Sequence, residues 1–136
     1  MGTRSTIAIE FADASVSQVY CHWDGYPSHN GKILNQHYTD AEKVKTLIAL
    51  GDISSLQENA IPADGVAHSF EEPAGNVTVA YHRDRGEEFR EPRENNSVEA
   101  FSQSDVEEYG YVFTREGEWK VVLGQGKIKN LAEVLS

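Results

Sequence analysis

Cysteine is almost missing from this chain: Cys21 is the single one in 136 residues. One cysteine excludes an internal disulfide and fits a reducing cytoplasm. No apolar run approaches the roughly 20 residues that a membrane-spanning helix needs. The opening Met1-Gly2-Thr3-Arg4-Ser5-Thr6 lacks the apolar centre of a signal peptide. Gly2 is followed by no basic cluster that would make a myristoyl anchor effective. Positive charge is also short, with 12 Lys and Arg against 22 Asp and Glu and a formal net charge of -10. That balance argues against direct nucleic-acid binding, which depends on a basic face, and favours basic partners. Internal repeats, linkers and low-complexity tracts are lacking.

What remains is an ordinary globular composition, 39% hydrophobic and 25% charged. Its length supports one domain over residues 1–136 with a single core. Residues 5–11 alternate, with Ile7, Ile9 and Phe11 on one side, and 16–22 read as a second strand of imperfect alternation, Val19 and Cys21 on one face and Gln18, Tyr20 and His22 on the other. The short turn between them makes an antiparallel hairpin the simplest topology. After Pro27, Ser28 is placed to cap a short helix carrying Ile33, Leu34 and His37. Thr39-Asp40-Ala41-Glu42 reads as a capping box for a helix with Val44, Leu47 and Ile48 on one stripe, ending at Gly51. Residues 52–73 lose periodicity, 76–82 read as a strand, and 83–96 read as irregular polar chain. A hairpin spans 109–114 and 118–123, and Leu131, Val134 and Leu135 suggest a closing helix. The fold class is therefore α+β: a mainly antiparallel sheet of about five strands with two or three helices packed on it. The expected core is Ile7, Ile9, Val19, Leu34, Val44, Leu47, Ile48, Val79, Val112 and Val121.

Two stretches concentrate chemistry. The corner at 21–32 holds Cys21, His22, Trp23, Asp24, Tyr26, His29 and Lys32. Its glycine–lysine spacing fails the phosphate-loop pattern, since five residues separate Gly25 from Gly31 and Ile33 follows Lys32. Free amides near Lys32 still suit an anion. Cys21 and His22 point to opposite faces of a strand, so a structural metal is not expected, nor any cofactor. Gly31, poor for a helix, implies that something approaches the backbone closely there. The second stretch, His82-Arg83-Asp84-Arg85-Gly86-Glu87, sets two arginines around an aspartate. It reads either as a salt-bridged loop or as an anion clamp with planar donors. The two stretches are expected to form one pocket for a small anionic, nucleotide-like ligand. Its contacts would be Trp23, Tyr26, His29, Lys32, His82, Arg83 and Arg85, with rings for stacking and guanidinium groups for phosphate. His22 with Asp24, or His82 with Asp84, could instead serve as an orienting pair for general-base work, although no nucleophile accompanies either. Residues 87–108 carry eight acids against Arg90 and Arg93, either a solvated face or a strip that docks a basic protein.

The blocks Thr3-Arg4-Ser5-Thr6-Ile7-Ala8-Ile9-Glu10, Tyr20-Cys21-His22-Trp23-Asp24-Gly25-Tyr26-Pro27, Gly31, His37-Tyr38, Leu50-Gly51-Asp52-Ile53-Ser54-Ser55-Leu56 and Tyr81-His82-Arg83-Asp84-Arg85-Gly86-Glu87 are similar to a family of small uncharacterised bacteriophage proteins. The resemblance implies an accessory product acting in the host cell cytoplasm, and it transfers no reaction or catalytic residue. By analogy of size and charge, it points to counter-defence. The expectation is a binding protein without turnover, sequestering a small nucleotide-derived signal. The competing reading is an acidic inhibitor that mimics nucleic acid and docks on a host defence protein. Self-association is left open.

Overall fold

Alternation along β1 (Ser5–Glu10) sends Ile7 and Ile9 to one face of a sheet and Ala8 to the other, in a computed structural model describing residues 3–136. β2 (Val16–Cys21) returns antiparallel in the register Ser5↔Cys21 to Glu10↔Val16. Asp13 makes the turn between them by accepting from the Ser15 amide at 3.0 Å and the Ser15 hydroxyl at 2.6 Å. The chain then passes through a π-helical turn (Pro27–Gly31), α1 (Lys32–His37) and α2 (Ala41–Ala49). β3 (Ile53–Ser55), β4 (Val79–Ala80), α3 (Tyr81–Arg85), β5 (Arg93–Asn95) and α4 (Val98–Gln103) follow. β6 (Tyr109–Phe113), β7 (Trp119–Leu123), β8 (Lys127–Asn130) and α5 (Leu131–Leu135) complete it.

The fold is α+β, with an eight-stranded mixed sheet in the order β4-β3-β2-β1-β6-β7-β8 and β5 pairing β2. Most pairings are antiparallel, but β1–β6 and β2–β3 are parallel. The expected strand count of about five was low because β3, β5 and β8 are only three or four residues long and β8 is exposed. Strands that short show no usable alternation. The exposed Lys127 and Lys129 also guard the β8 edge against further pairing.

One face of the sheet is covered by Leu34 of α1, Val44, Leu47 and Ile48 of α2, and Leu131 of α5, packed on Ile7, Ile9, Val19 and Val121. The other holds Ala8, Val16, Val112 and Val122 under Phe101 of α4 and Val106. Every expected core residue is buried, but Val112 serves this second layer instead of the first. Segment 93–108 is thus a cover for the sheet and not a solvated loop. Ser97 caps α4, its hydroxyl accepting from the Ala100 amide at 3.0 Å. The fully buried Gln18 anchors the cover: its Oε1 accepts from Asn95 Nδ2 at 2.7 Å and from Ser104 Oγ at 3.1 Å.

Three local expectations are corrected. Ser28 caps nothing, because the turn at Pro27–Gly31 begins after Tyr26 with no side-chain cap. The capping box at 39–42 does not form: α2 starts after Asp40, again without a side-chain cap. Lys43 holds this junction, donating to the His37 carbonyl at 2.7 Å and lying 4.6 Å from the centre of the Tyr38 ring. Thr39→Ala should therefore change unfolding free energy by less than about 0.5 kcal/mol in a urea titration, against about 1 for a working cap. Finally, the strand expected over 76–82 ends at Ala80. Asp84 reaches back to accept the Ala80 amide at 2.7 Å, turning the chain into α3.

Candidate functional site

The corner at 21–32 is built inward. Asn30 is fully buried, and its Nδ2 lies 3.2 Å from the Trp23 carbonyl, 3.3 Å from Cys21 Sγ and 3.4 Å from Ser5 Oγ. With Nδ2 donating, Asn30 Oδ1 accepts from His29 Nδ1 at 3.0 Å. The Tyr111 hydroxyl donates to the Gly25 carbonyl at 2.6 Å. A Cβ on Gly25 would stand 2.7 Å from Ser5 Cβ; on Gly31 it would stand 3.1 Å from Leu131 and 3.2 Å from Tyr111. The close approach expected at Gly31 is therefore the protein's own core. Cys21 is fully buried, and burial pushes its thiol up to about 11, which removes it as a nucleophile. Outward, the corner shows Trp23, 43% exposed, and Tyr26, 37% exposed, with the Tyr26 and His29 rings 6.0 Å apart and Lys32 exposed.

The arginine stretch divides by role. Arg83 turns into the protein: its guanidinium donates to the Thr78 carbonyl at 2.6 Å, to the Ala60 carbonyl, and to both Asp84 oxygens at 2.8 and 2.9 Å. Asp84 Oδ2 also pairs with His68 Nε2 at 3.1 Å. His68 Nδ1 accepts the Ala74 amide at 2.9 Å, which places the imidazole proton on Nε2, facing Asp84. The side chains of His68 and Asp84 are 2% and 4% exposed. Burial on its own would raise the Asp84 carboxyl, but hydrogen bonds from Arg83, the Ala80 amide and His68, with the Arg83 charge, hold it below its ordinary value. Arg83 thus belongs to the salt-bridged reading and offers no free fork to a ligand. Arg85 is exposed, 3.4 Å from Glu87 and over the Phe70 ring. Neither orienting pair forms: His22 Nδ1 meets the Tyr20 hydroxyl at 2.7 Å, and His82 Nδ1 donates to the Glu87 carbonyl at 2.8 Å.

A cleft of about 200 Å³ lies beside this stretch, lined by Tyr20, Leu50, Asp52, Tyr81, His82 and residues 87–90. It opens where the outer edge of β2 changes partner. Val16–Gln18 pair with β5 and Cys21 pairs with β3, leaving Tyr20 between them with its amide on Asp52 Oδ1 at 3.1 Å. Gly51, at φ +78°, ends α2 and lets the Phe89 ring lie against the helix end, where a Cβ would stand 3.0 Å from Phe89 Cε1. Partial burial, the largest cause, raises the Tyr20 hydroxyl, which lies 2.7 Å from His22 Nδ1.

The structure brings His82 and Tyr20 to this cleft, while Arg85 faces a separate depression with Ser69, Phe70, Glu71 and Asp84. Trp23, Tyr26, His29 and Lys32 line neither, so the pocket expected to join the corner to the arginine stretch does not form at these two places. Asp52, Phe89 and His68 were missed. Phe89, one ring amid acids at 87–91, is the signal that could have found the cleft. Among the described residues, no three His, Cys, Asp or Glu side chains converge as a metal would require. No described helix is long and apolar enough to cross a membrane. Comparison with protein-family models, curated proteins and solved structures gave no match.

Proposed function

We propose that this chain is a binding protein without turnover that docks on a basic partner protein through its 87–108 segment. The phage resemblance makes that partner a component of host defence or regulation. One observation carries the reading. Of the eight acids in this segment all but Glu107 are exposed, and among the described residues only Glu87 has an ion-pair partner. Glu94, Glu99, Asp105, Glu107 and Glu108 are mounted on a cover fixed to the sheet by Gln18 and Phe101, so these five form a fixed array that needs no ordering on binding. Sequestration of a small nucleotide-derived anion draws less support, because Arg83 is consumed internally and Arg85 is paired with Glu87.

Complementary charge governs encounter and is screened by salt. Affinity for a partner recovered from host lysate should fall on the order of tenfold or more between about 0.05 M and about 0.5 M salt. The combined Glu91→Gln, Glu94→Gln and Glu99→Gln variant should lose most of that salt sensitivity while keeping its unfolding midpoint. Salt-independent binding, or a native mass spectrum showing a bound small anion with no protein partner, would reverse the order of the two readings.

A further inference from the structure

We infer that the cleft between Tyr20 and Phe89 is a socket for an arginine side chain of that partner. The inference rests on the docking reading and names its anchor. Four rings line the cleft, those of Tyr20, Tyr81, His82 and Phe89. His82 and Phe89 meet edge to face, with centroids 5.2 Å apart and planes at 69°, so two walls stand at a steep angle. Phe89 is 40% exposed, an apolar ring kept in water at the cleft mouth.

The charge of the lining selects the occupant. Asp52, Glu87 and Glu88 bring three carboxylates against the one guanidinium of Arg90, a net of -2. Glu87 is engaged by Arg85 and Asp52 by the Tyr20 amide, whereas Glu88 has no ion-pair partner among the described residues. Aromatic faces attract a cation, and a free carboxylate beside them supplies its counter-charge. A guanidinium fits this pairing better than an ammonium, being planar, more weakly hydrated and able to present a fork to a carboxylate. At about 200 Å³ the cleft falls below the roughly 300–1,000 Å³ of sites for drug-sized molecules, which suits one side chain.

The test uses the isotope-labelled full chain, titrated by NMR with Nα-acetyl-arginine amide, Nα-acetyl-lysine amide and the uncharged Nα-acetyl-citrulline amide. Salt at about 0.15 M screens the outlying acids beyond about 8 Å. The arginine amide should move the amide signals of Tyr20, Asp52, His82 and Phe89 and bind several-fold tighter than the lysine amide. Phe89→Ala and Glu88→Gln should each weaken it by about threefold to tenfold, Glu88→Gln with an unchanged unfolding midpoint. Citrulline binding equal to arginine, shifts confined to 91–108, or both variants binding like the parent would overturn the socket. The two proposals separate cleanly. Partner docking that survives Phe89→Ala with no arginine response at the cleft removes the socket alone. An arginine response without salt-sensitive docking removes the strip reading and leaves the socket.

Discussion

Arg83→Ala should lower the unfolding free energy by about 3 kcal/mol, the low end of what breaking a buried ion pair costs, since the Arg83 side chain is about a quarter exposed (26%). The variant leaves the Ala60 and Thr78 carbonyls without their donor and strands the Asp84 carboxylate, whose side chain is 4% exposed. Arg85→Ala, which removes only an exposed pair with Glu87, should stay within about 0.5 kcal/mol. Equal, small effects of the two substitutions in urea unfolding would refute the internal role given to Arg83.

The acid limb of stability gives a second readout of the same network. Asp84 titrates below its ordinary value in the folded protein, so between the two values the unfolded chain binds more protons. Its contribution is complete above the unfolded pKa of about 3.9 and is lost as pH falls from there through the folded value. In Arg83→Ala the burial remains while the strongest opposing partner is gone, so the folded carboxyl rises toward or above its unfolded value and the stability that Asp84 loses on acidification shrinks or vanishes. Urea midpoints followed from about pH 7 to about pH 3 should show the variant, less stable throughout, declining less steeply than the parent. Parallel decline in both proteins would mean that Arg83 does not set the Asp84 charge.

Asn30→Ala is expected to cost about 3 kcal/mol, combining a Trp23 carbonyl left with only the weak Cys21 thiol donor and a cavity beneath the corner. The Ser5 hydroxyl and the His29 ring lose their partner as well, so β1 and the corner should loosen together. Trp119 is buried and Trp23 is half-exposed. A red shift in native tryptophan emission would therefore report movement at Trp23. A loss below about 1 kcal/mol with unchanged emission would show that the corner is held by packing, through Gly25, Gly31 and Tyr111, without the amide hub.

The sequence by itself determined the elements whose information is local. The β1–β2 hairpin, the β6–β7 hairpin, the stripe of α2 and its end at Gly51 all follow from periods of two or 3.6 residues and from one glycine at positive φ. Tertiary structure alone decided the rest. Nothing near residue 109 says that β6 will lie parallel to β1, because that pairing joins residues about a hundred positions apart. The side chains of the candidate site were misjudged for a related reason. Arg83 looks like a ligand clamp until Ala60 and His68 arrive from 23 and 15 residues away to join Thr78 around it, and Asn30 looks like a turn residue until β1 closes over it. A buried polar group must find its partners somewhere, and which partners the fold brings within 3 Å is a property of the packed chain, not of the local string. The cleft at Tyr20 is likewise a gap between β3 and β5, two strands too short to be read, so it existed only once both had taken their places along β2.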